Sequence, residues 1–130
     1  VTKDPDLLTE FVRVRLAANI CEDYVNNDKM LNVISLDPEI ERSLRQAMHR
    51  DVMGLQLNLD PREGQHILSC LGKEVESLRE RGLQPIVLTV PDVRPALRRL
   101  CERSFPMLVV LSWNEIAPGF QVNSLGMATL

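Results

Sequence analysis

The architecture follows from residues 85–113, which read PIVLTVPDVRPALRRLCERSFPMLVVLSW. The runs at 85–90 and 107–113 are apolar and of strand length, a pattern typical of strands that are buried on both faces of a sheet. Between them, Asp92 predicts a helix N-cap, because its carboxylate can accept the free backbone N–H groups of a first turn. Two such strands joined by a helix predict a parallel pair with a right-handed crossover.

The tripeptide Leu-Asp-Pro occurs twice before this stretch, at residues 36–38 and 59–61. Aspartate caps a helix well, and proline fits the next position because the N–H there is unpaired anyway. Each copy therefore predicts a helix start, with the first helix running to about His49 and the second to about Arg81. The other predicted elements are a helix over 7–26, strands over 31–36 and 120–128, a loop over 114–119, and an ambiguous segment over 52–58 whose alternating leucines allow a short edge strand.

The predicted elements from residue 31 onward follow the order β-α-(β)-α-β-α-β-β. Alternation of strands and helices is typical of the α/β class, in which helices cover a sheet. We therefore predict a small mixed sheet with covering helices, preceded by one helix of a neighbouring helical subdomain. The apolar face of that first helix includes Leu8, Phe11 and Val12, and it is wide enough to contact protein on two sides.

Composition places the chain among folded globular domains and removes several classes of function. Hydrophobic residues make up 45% and charged residues 25% of the 130 residues, which excludes intrinsic disorder. The formal charge of −3 and the aromatic content of 4% argue against binding to nucleic acid or to anionic membranes. The longest apolar run, at 107–111, is far too short to span a bilayer. The widely spaced Cys21, Cys70 and Cys101 predict buried thiols in a reducing compartment.

The sequence contains no grouping of residues that predicts catalysis, a metal or a cofactor. His66 and Cys70 share one helix face, but zinc needs three or four ligands and no second pair lies nearby. A nucleophile–base pair from Cys70 and His66, or from Cys101 and His49, lacks an orienting third group and a glycine-rich elbow. The isolated glycines form no phosphate-binding loop. We therefore predict no catalytic residue, no metal ligand and no cofactor.

The main charge feature is a group of four arginines on the helix predicted after Asp92. They lie outside its apolar stripe and form two i,i+4 pairs of like charge, which repel slightly. One interpretation is a solvated face that Glu102 and nearby acids neutralise. The other is a docking surface for an acidic protein partner or another subdomain. The members of this arginine group are Arg94, Arg98, Arg99 and Arg103.

Four segments together resemble a known protein family. They read LTEFVRVRL at 8–16, VISLDPEIE at 33–41, PDVRPALRRL at 91–100 and VLSWNEI at 110–116. In this order and spacing they are similar to the C-terminal cytoplasmic region of the large export-gate protein of flagellar and virulence type III secretion systems, the FlhA/InvA/SctV family. The resemblance covers nearly all of the chain.

The resemblance implies a non-enzymatic interaction module of a bacterial export apparatus. Family members are inner-membrane proteins whose cytoplasmic part forms a nine-membered ring and docks chaperone–substrate complexes or gatekeeper proteins. The chain is then expected to be a piece of a longer protein, with residues 1–28 as the last helix of a helical subdomain and residues 29–130 as the C-terminal α/β subdomain. The implied partners are other subunits of the export apparatus and further copies of the chain, without nucleic acid and without membrane insertion of this part. The segments leave the flagellar and virulence branches open, and we favour the virulence or plant-pathogen branch.

The contact residues that we predict are the arginine group and polar or aromatic residues after the last buried strand. The alternative function is a small cytosolic α/β enzyme or nucleotide-binding regulator. Its ligand would bind at the carboxyl ends of parallel strands, near residues 90–92 and 112–115. The predicted contact residues are Arg94, Arg98, Arg99, Arg103, Asn114, Glu115 and Phe120.

Overall fold

A four-stranded parallel sheet forms the centre of the molecule. The computed structural model describes residues 5–16, 30–52, 54–116 and 119–129. Its strands are β1 (Met30–Leu36), β4 (Ile86–Thr89), β5 (Val109–Ser112) and β6 (Gln121–Ala128). The strand order is β5-β4-β1-β6, and every pairing in this sheet is parallel. The α/β class and the parallel pairing of the two apolar strands joined by a helix are confirmed.

Strand β1 lies inside the sheet, between β4 and β6. Its pairing with β6 shifts in register between Val33, which faces Ser124, and Ile34, which faces Gly126. Leu125 is therefore an extra residue on β6, which makes a β-bulge at this point. Strand β4 is buried at all of its residues, because it too has a strand on each side and protein on both faces.

Four α-helices accompany the sheet in the part of the chain that the structure describes. They are α1 (Pro5–Arg15), α2 (Pro38–Ala47), α3 (Pro61–Glu80) and α4 (Arg94–Cys101). The helix predicted over 7–26 is confirmed as far as Arg15, and Leu16 lies in a turn. The remainder of that predicted helix, from residue 17, lies outside the described residues. Within the described residues, no helix is both long enough and apolar enough to cross a bilayer.

The two Leu-Asp-Pro segments start helices as predicted. The Asp37 carboxylate accepts the Glu39 N–H at 2.9 Å, and the Asp60 carboxylate accepts the Arg62 N–H at 2.8 Å. Helix α3 ends at Glu80, and Gly82 shortly after it has a φ of +73°, in the left-handed region. The Leu83 N–H then donates back to the Leu78 carbonyl at 2.9 Å, which closes the helix end.

The prediction that α2 runs to about His49 is wrong. The helix ends at Ala47, and β2 (Met48–Asp51) pairs antiparallel with β3 (Gly54–Leu57) in a separate two-stranded sheet. Met48 is extended, with φ −73° and ψ 136°, and the hairpin buries Leu55 completely. Burial of that leucine favours pairing over another helical turn. The short strand that the leucines at 52–58 allow is β3. The predicted sheet was mixed, whereas the four-stranded sheet is parallel throughout and the antiparallel pair forms a separate hairpin.

Helix α4 begins later than predicted. Its N-cap is Val93, without a side-chain cap, so the prediction that Asp92 caps this helix is wrong. The Asp92 carboxylate instead accepts two hydrogen bonds from Arg45 of α2, at 2.6 Å from Nε and 3.1 Å from Nη2. A charge-assisted two-point pair is stronger than one bond to a backbone N–H, which explains the exchange of partners.

Two apolar clusters form the core. The larger one joins the helices to the sheet, and in it the Cys101 thiol is buried as predicted, which raises its pKa to about 12. Cys70 is half-buried, and Cys21 lies outside the described residues. The smaller cluster contains Leu31, Val33, Ile86, Leu88 and Leu111, with Phe120 packed against it.

Candidate protein-interaction site

The structure buries Arg94, so the prediction that this arginine is exposed is wrong. It is the first residue of α4 and only 7% exposed. Its Nε donates to the Val110 carbonyl of β5 at 3.0 Å. Arg94 precedes the core residues Leu97 and Cys101 by three and seven residues, so it lies on the buried face of the helix.

Arg94 belongs to a cluster of four charged side chains that we call the ion cluster: Glu10, Arg13, Arg94 and Glu115. Arg94 Nη1 lies 2.7 Å from Glu10 Oε2, and its Nε lies 3.3 Å from Glu115 Oε1. Arg13 Nη2 completes the cluster at 2.8 Å from Glu115 Oε2. The cluster therefore ties α1 to α4 and to the short 3-10 helix at Trp113–Glu115.

Glu115 is fixed from two directions and is 1% exposed. Its Oε1 accepts the Ser112 backbone N–H at 3.0 Å and the Ser112 hydroxyl at 2.9 Å. The neighbouring Asn114 is exposed, and its side chain also contacts the Ser112 hydroxyl. The loop predicted over 114–119 thus begins with an ordered turn, in which Glu115 points into the domain.

Burial sets the pKa directions in the ion cluster. It raises the pKa of Glu10 above its ordinary value; Arg94 and Arg13 oppose the rise, and Glu115 adds to it. Burial also lowers the pKa of Arg94, and the like charge of Arg13 adds to this effect. Because folding raises the pKa of Glu10, the Glu10 carboxyl group contributes stability below its ordinary pKa. This contribution is lost as the pH rises through the folded-state pKa. The Arg94 guanidinium therefore stabilises the ionised form of the Glu10 carboxyl group against the effect of burial.

The other three members of the arginine group line two neighbouring clefts. Arg98 is half-buried, and its Nη1 is buried without a hydrogen-bond partner among the described residues. Arg99 and Arg103 are exposed, and Arg99 Nη1 donates to the Leu55 carbonyl of β3. The first cleft, of about 460 Å³, lies between α1 and α4 and is lined by Thr9, Glu10, Arg94, Pro95, Arg98, Arg99 and Glu102. We call it the Arg98 cleft.

The second cleft, of about 500 Å³, lies between the start of α3 and the end of α4. It shares Arg99 and Glu102 with the Arg98 cleft, so the two clefts adjoin. Four half-buried leucines contribute to its lining, and Arg103 also borders it. We call it the leucine cleft, and its leucines are Leu57, Leu59, Leu68 and Leu100.

The predicted contact residues are therefore divided by the structure. Arg94 and Glu115 meet in the ion cluster, while Arg98 and Arg99 line the adjacent cleft. Phe120 is half-buried against the smaller core cluster. Sequence reasoning missed Glu10 and Arg13. Their i,i+3 spacing on α1 was visible, but nothing in the sequence links them to α4.

The carboxyl ends of β4 and β5 carry polar groups that are bonded to one another. The Thr89 hydroxyl and the Val90 N–H donate to Glu41 Oε2 at 2.7 and 3.1 Å. Asp92 holds Arg45, and Ser112 holds Glu115. In the described part of the chain, no three His, Cys, Asp or Glu side chains are grouped as metal ligands. These ends are therefore organised by internal polar contacts.

Several solved structures are similar to this chain. CdsV of Chlamydia pneumoniae is 34% identical, with a TM-score of 0.89 over 99% of this chain and 37% of that chain. Its complex with CdsO gives a TM-score of 0.81 over 99% of this chain and 38% of that chain. Nonameric SctV-C from EPEC is 28% identical, with a TM-score of 0.81 over 97% of this chain and 37% of that chain. This chain therefore shares the fold of part of the cytosolic domains of type III secretion proteins such as SctV-C and EscV.

The sequence matches the model of the FHIPEP family over residues 1–121. Flagellar biosynthesis protein FlhA of Bacillus subtilis (strain 168) is 33% identical over 130 residues, which covers all of this chain and 19% of that protein. The chain belongs to the FHIPEP family, and the resemblance to the export-gate proteins is confirmed. This chain spans about a fifth of the length of the curated relatives that it matches.

Proposed function

We propose that the chain is a cytoplasmic interaction module of a type III secretion export gate in the bacterial inner membrane. In this role it is part of a ring platform that docks export substrates, chaperones or regulators. The observation that carries the proposal is the structure of CdsV together with CdsO, because that CdsV is similar to 99% of this chain. Two nonameric relatives, SctV-C and the cytosolic domain of EscV, support the ring.

The proposal divides the chain at its first helix. Residues 1–28 form the last helix of a helical subdomain, and residues 29–130 form the C-terminal α/β subdomain. The apolar side chains of α1 support this division, since Phe11 is 61% and Val12 51% exposed. With Leu8 and Leu16 they make a stripe at helical spacing, which is typical of a face that packs on further helices.

The contact surface in this proposal is the outer side of α4 with the two clefts. Arg98, Arg99 and Arg103 supply its positive charge, and Asn114 lies at the exposed turn after β5. Arg94 and Glu115 hold α4 and this turn in place. The domain acts through shape and charge, and the proposal assigns no catalytic step to it.

Charge reversal tests the proposal. We expect Arg98→Glu with Arg99→Glu, in the full export-gate protein, to reduce secretion and partner binding at least tenfold, because reversed charges at an interface repel the partner. The matched control is Arg79→Glu with Arg81→Glu, since these two arginines are exposed and line neither cleft. Circular dichroism and thermal melting check that both double variants fold. Unchanged secretion by a folded Arg98/Arg99 variant would remove this surface from the proposal.

A further inference from the structure

Arg98 has a hydrogen-bonding group that the described chain does not use. Its Nη1 is buried and has no hydrogen-bond partner, and no ion pair to Arg98 is present among the described residues. The Cys101 thiol, one helical turn further on, feels the Arg98 charge but stays neutral, because burial raises its pKa to about 12. A buried donor on a charged group is costly to leave unpaired. Arg98 therefore carries a positive charge that no carboxylate pairs with among the described residues, and its half-buried side chain lines an open cleft.

The Arg98 cleft has the charge and shape for a carboxylate. Three arginines and two glutamates line it, and Arg94 is already held by Glu10 and Glu115. Arg98 has no ion pair among the described residues, so its positive charge is the one offered to a ligand. Glu10 and Glu102 at the same cleft would repel a doubly charged phosphate more strongly than a single carboxylate. A guanidinium edge also matches the two oxygens of a carboxylate.

The adjoining leucine cleft adds a second requirement to the ligand. Its leucines are half-buried, and it meets the Arg98 cleft at Arg99 and Glu102. A segment that places a carboxylate at Arg98 can therefore lay a neighbouring apolar side chain over Leu59 or Leu100. The relative CdsV is solved together with a different protein, CdsO, which supports a different protein as the source of the acidic segment.

We propose that the Arg98 cleft receives an aspartate or glutamate side chain from an acidic, partly apolar segment of a partner protein. Arg98 donates to the carboxylate, and the leucine cleft takes the apolar neighbour. This inference rests on the proposed docking function and adds the chemistry of the partner. It predicts that Arg98 serves binding rather than the stability of the isolated chain.

The experiment uses the chain with two short synthetic peptides. One contains glutamate and leucine between glycine–serine spacers, and the other has glutamine in place of glutamate. We expect the glutamate peptide alone to shift the Arg98 Nε–Hε signal and the backbone amide signals of α4 in a ¹⁵N NMR titration. Arg98→Met should weaken this binding at least tenfold, whereas the exposed control Arg81→Met should leave it unchanged.

Thermal melting supplies the second readout. Arg98→Met should melt at the same temperature as the parent or higher, because it keeps an apolar stem and removes an unpaired buried donor. Full peptide binding by Arg98→Met would overturn the proposal, and so would a melting temperature far below that of the parent. If Arg98→Met changes only the self-association of the chain, measured by sedimentation, the cleft binds a second copy and the proposal is overturned too. If the peptide does not bind while the charge-reversed double variant still fails in secretion, the docking function stands and the carboxylate is rejected.

Discussion

The guanidinium of Arg94 holds three separate segments of the chain together. It binds Glu10 of α1, Glu115 of the turn after β5 and the Val110 carbonyl of β5. Such a buried group is bound strongly only while all of its partners are present, because each charge has given up its water. The stability of this contact is therefore a property of the whole ion cluster.

Arg94→Met should destabilise the chain by about 3 kcal/mol, because it leaves the buried Glu115 carboxylate without its arginine neighbour on α4. Urea unfolding measures the change. The control is Arg42→Ala, which breaks the exposed pair of Arg42 with Glu39 and should cost about 0.5 kcal/mol or less. Adding Glu115→Gln to Arg94→Met should restore part of the loss. An Arg94→Met variant within 1 kcal/mol of the parent would show that the cluster is far weaker than its burial indicates.

The sequence shows the arginines but not their partners. Glu10 lies 84 residues before Arg94, so no helical spacing links them. The apolar stripe of the helix predicts Leu97 and Cys101 correctly as core residues, since their neighbours on the same face are apolar. It gives Arg94 the wrong side because a charge predicts exposure, whereas the helical spacing of Arg94 from Leu97 and Cys101 places it on their buried face.

The bond between Asp92 and Arg45 makes stability depend on pH. Arg45 lowers the pKa of Asp92 below its ordinary value, mainly through the hydrogen bond between them. The stability that the Asp92–Arg45 pair contributes is therefore complete above the unfolded-state pKa of Asp92. It is lost as the pH falls through the folded-state pKa of Asp92. We expect Asp92→Asn to be less stable than the parent at pH 7 and equal to it once acidification has protonated Asp92.

Urea unfolding over a pH series measures this difference. Arg45→Gln serves as the matched variant, because it removes the same bond from the other side and should reproduce the same pH dependence. A gap between Asp92→Asn and the parent that persists under acidic conditions would assign the loss to packing rather than to the ion pair.

The residues at the helix ends largely determine where the helices of this chain begin and end. Asp37, Asp60 and Gly82 act as the sequence predicts, because a cap depends on a few adjacent residues. The hairpin after α2 was not predictable in the same way. Met48 and His49 continue the helical pattern, but the chain turns to strand because Leu55 can be buried by pairing. Burial of Leu55 in the folded domain overrides the local helical preference there.

Two glycines should respond oppositely to alanine. Gly82→Ala should cost about 1 kcal/mol, because φ of +73° is unfavourable for a residue with a Cβ. Gly64→Ala should gain about 0.5 kcal/mol, since alanine favours the helix and its Cβ meets Leu100 and Leu59 at an ordinary 3.6 Å. Thermal melting of both variants provides the comparison. Equal effects of the two substitutions would contradict the assigned helix end.

At the scale of the whole molecule, α1 and the α/β part meet through charges, while α1 exposes apolar side chains. The ion cluster joins the two, and α1 also lies beside β3. The apolar stripe of α1 with Phe11 and Val12 is exposed in the described part of the chain. The sequence predicts both the wide apolar face of this helix and its place before the α/β part. It cannot show which distant charges align the two, since that depends on the assembled sheet.

The position of β6 has a consequence for synthesis on the ribosome. Its residues pair with β1, so Gln121 faces Met30 and Ala128 faces Leu36. Before residue 121 has emerged from the ribosome, a nascent chain can already pair β1, β4 and β5. One side of β1 is then left with unpaired N–H and C=O groups. Stalled or prematurely terminated products would thus offer an apolar strand to neighbouring nascent chains, and they should aggregate where the finished polypeptide stays dispersed.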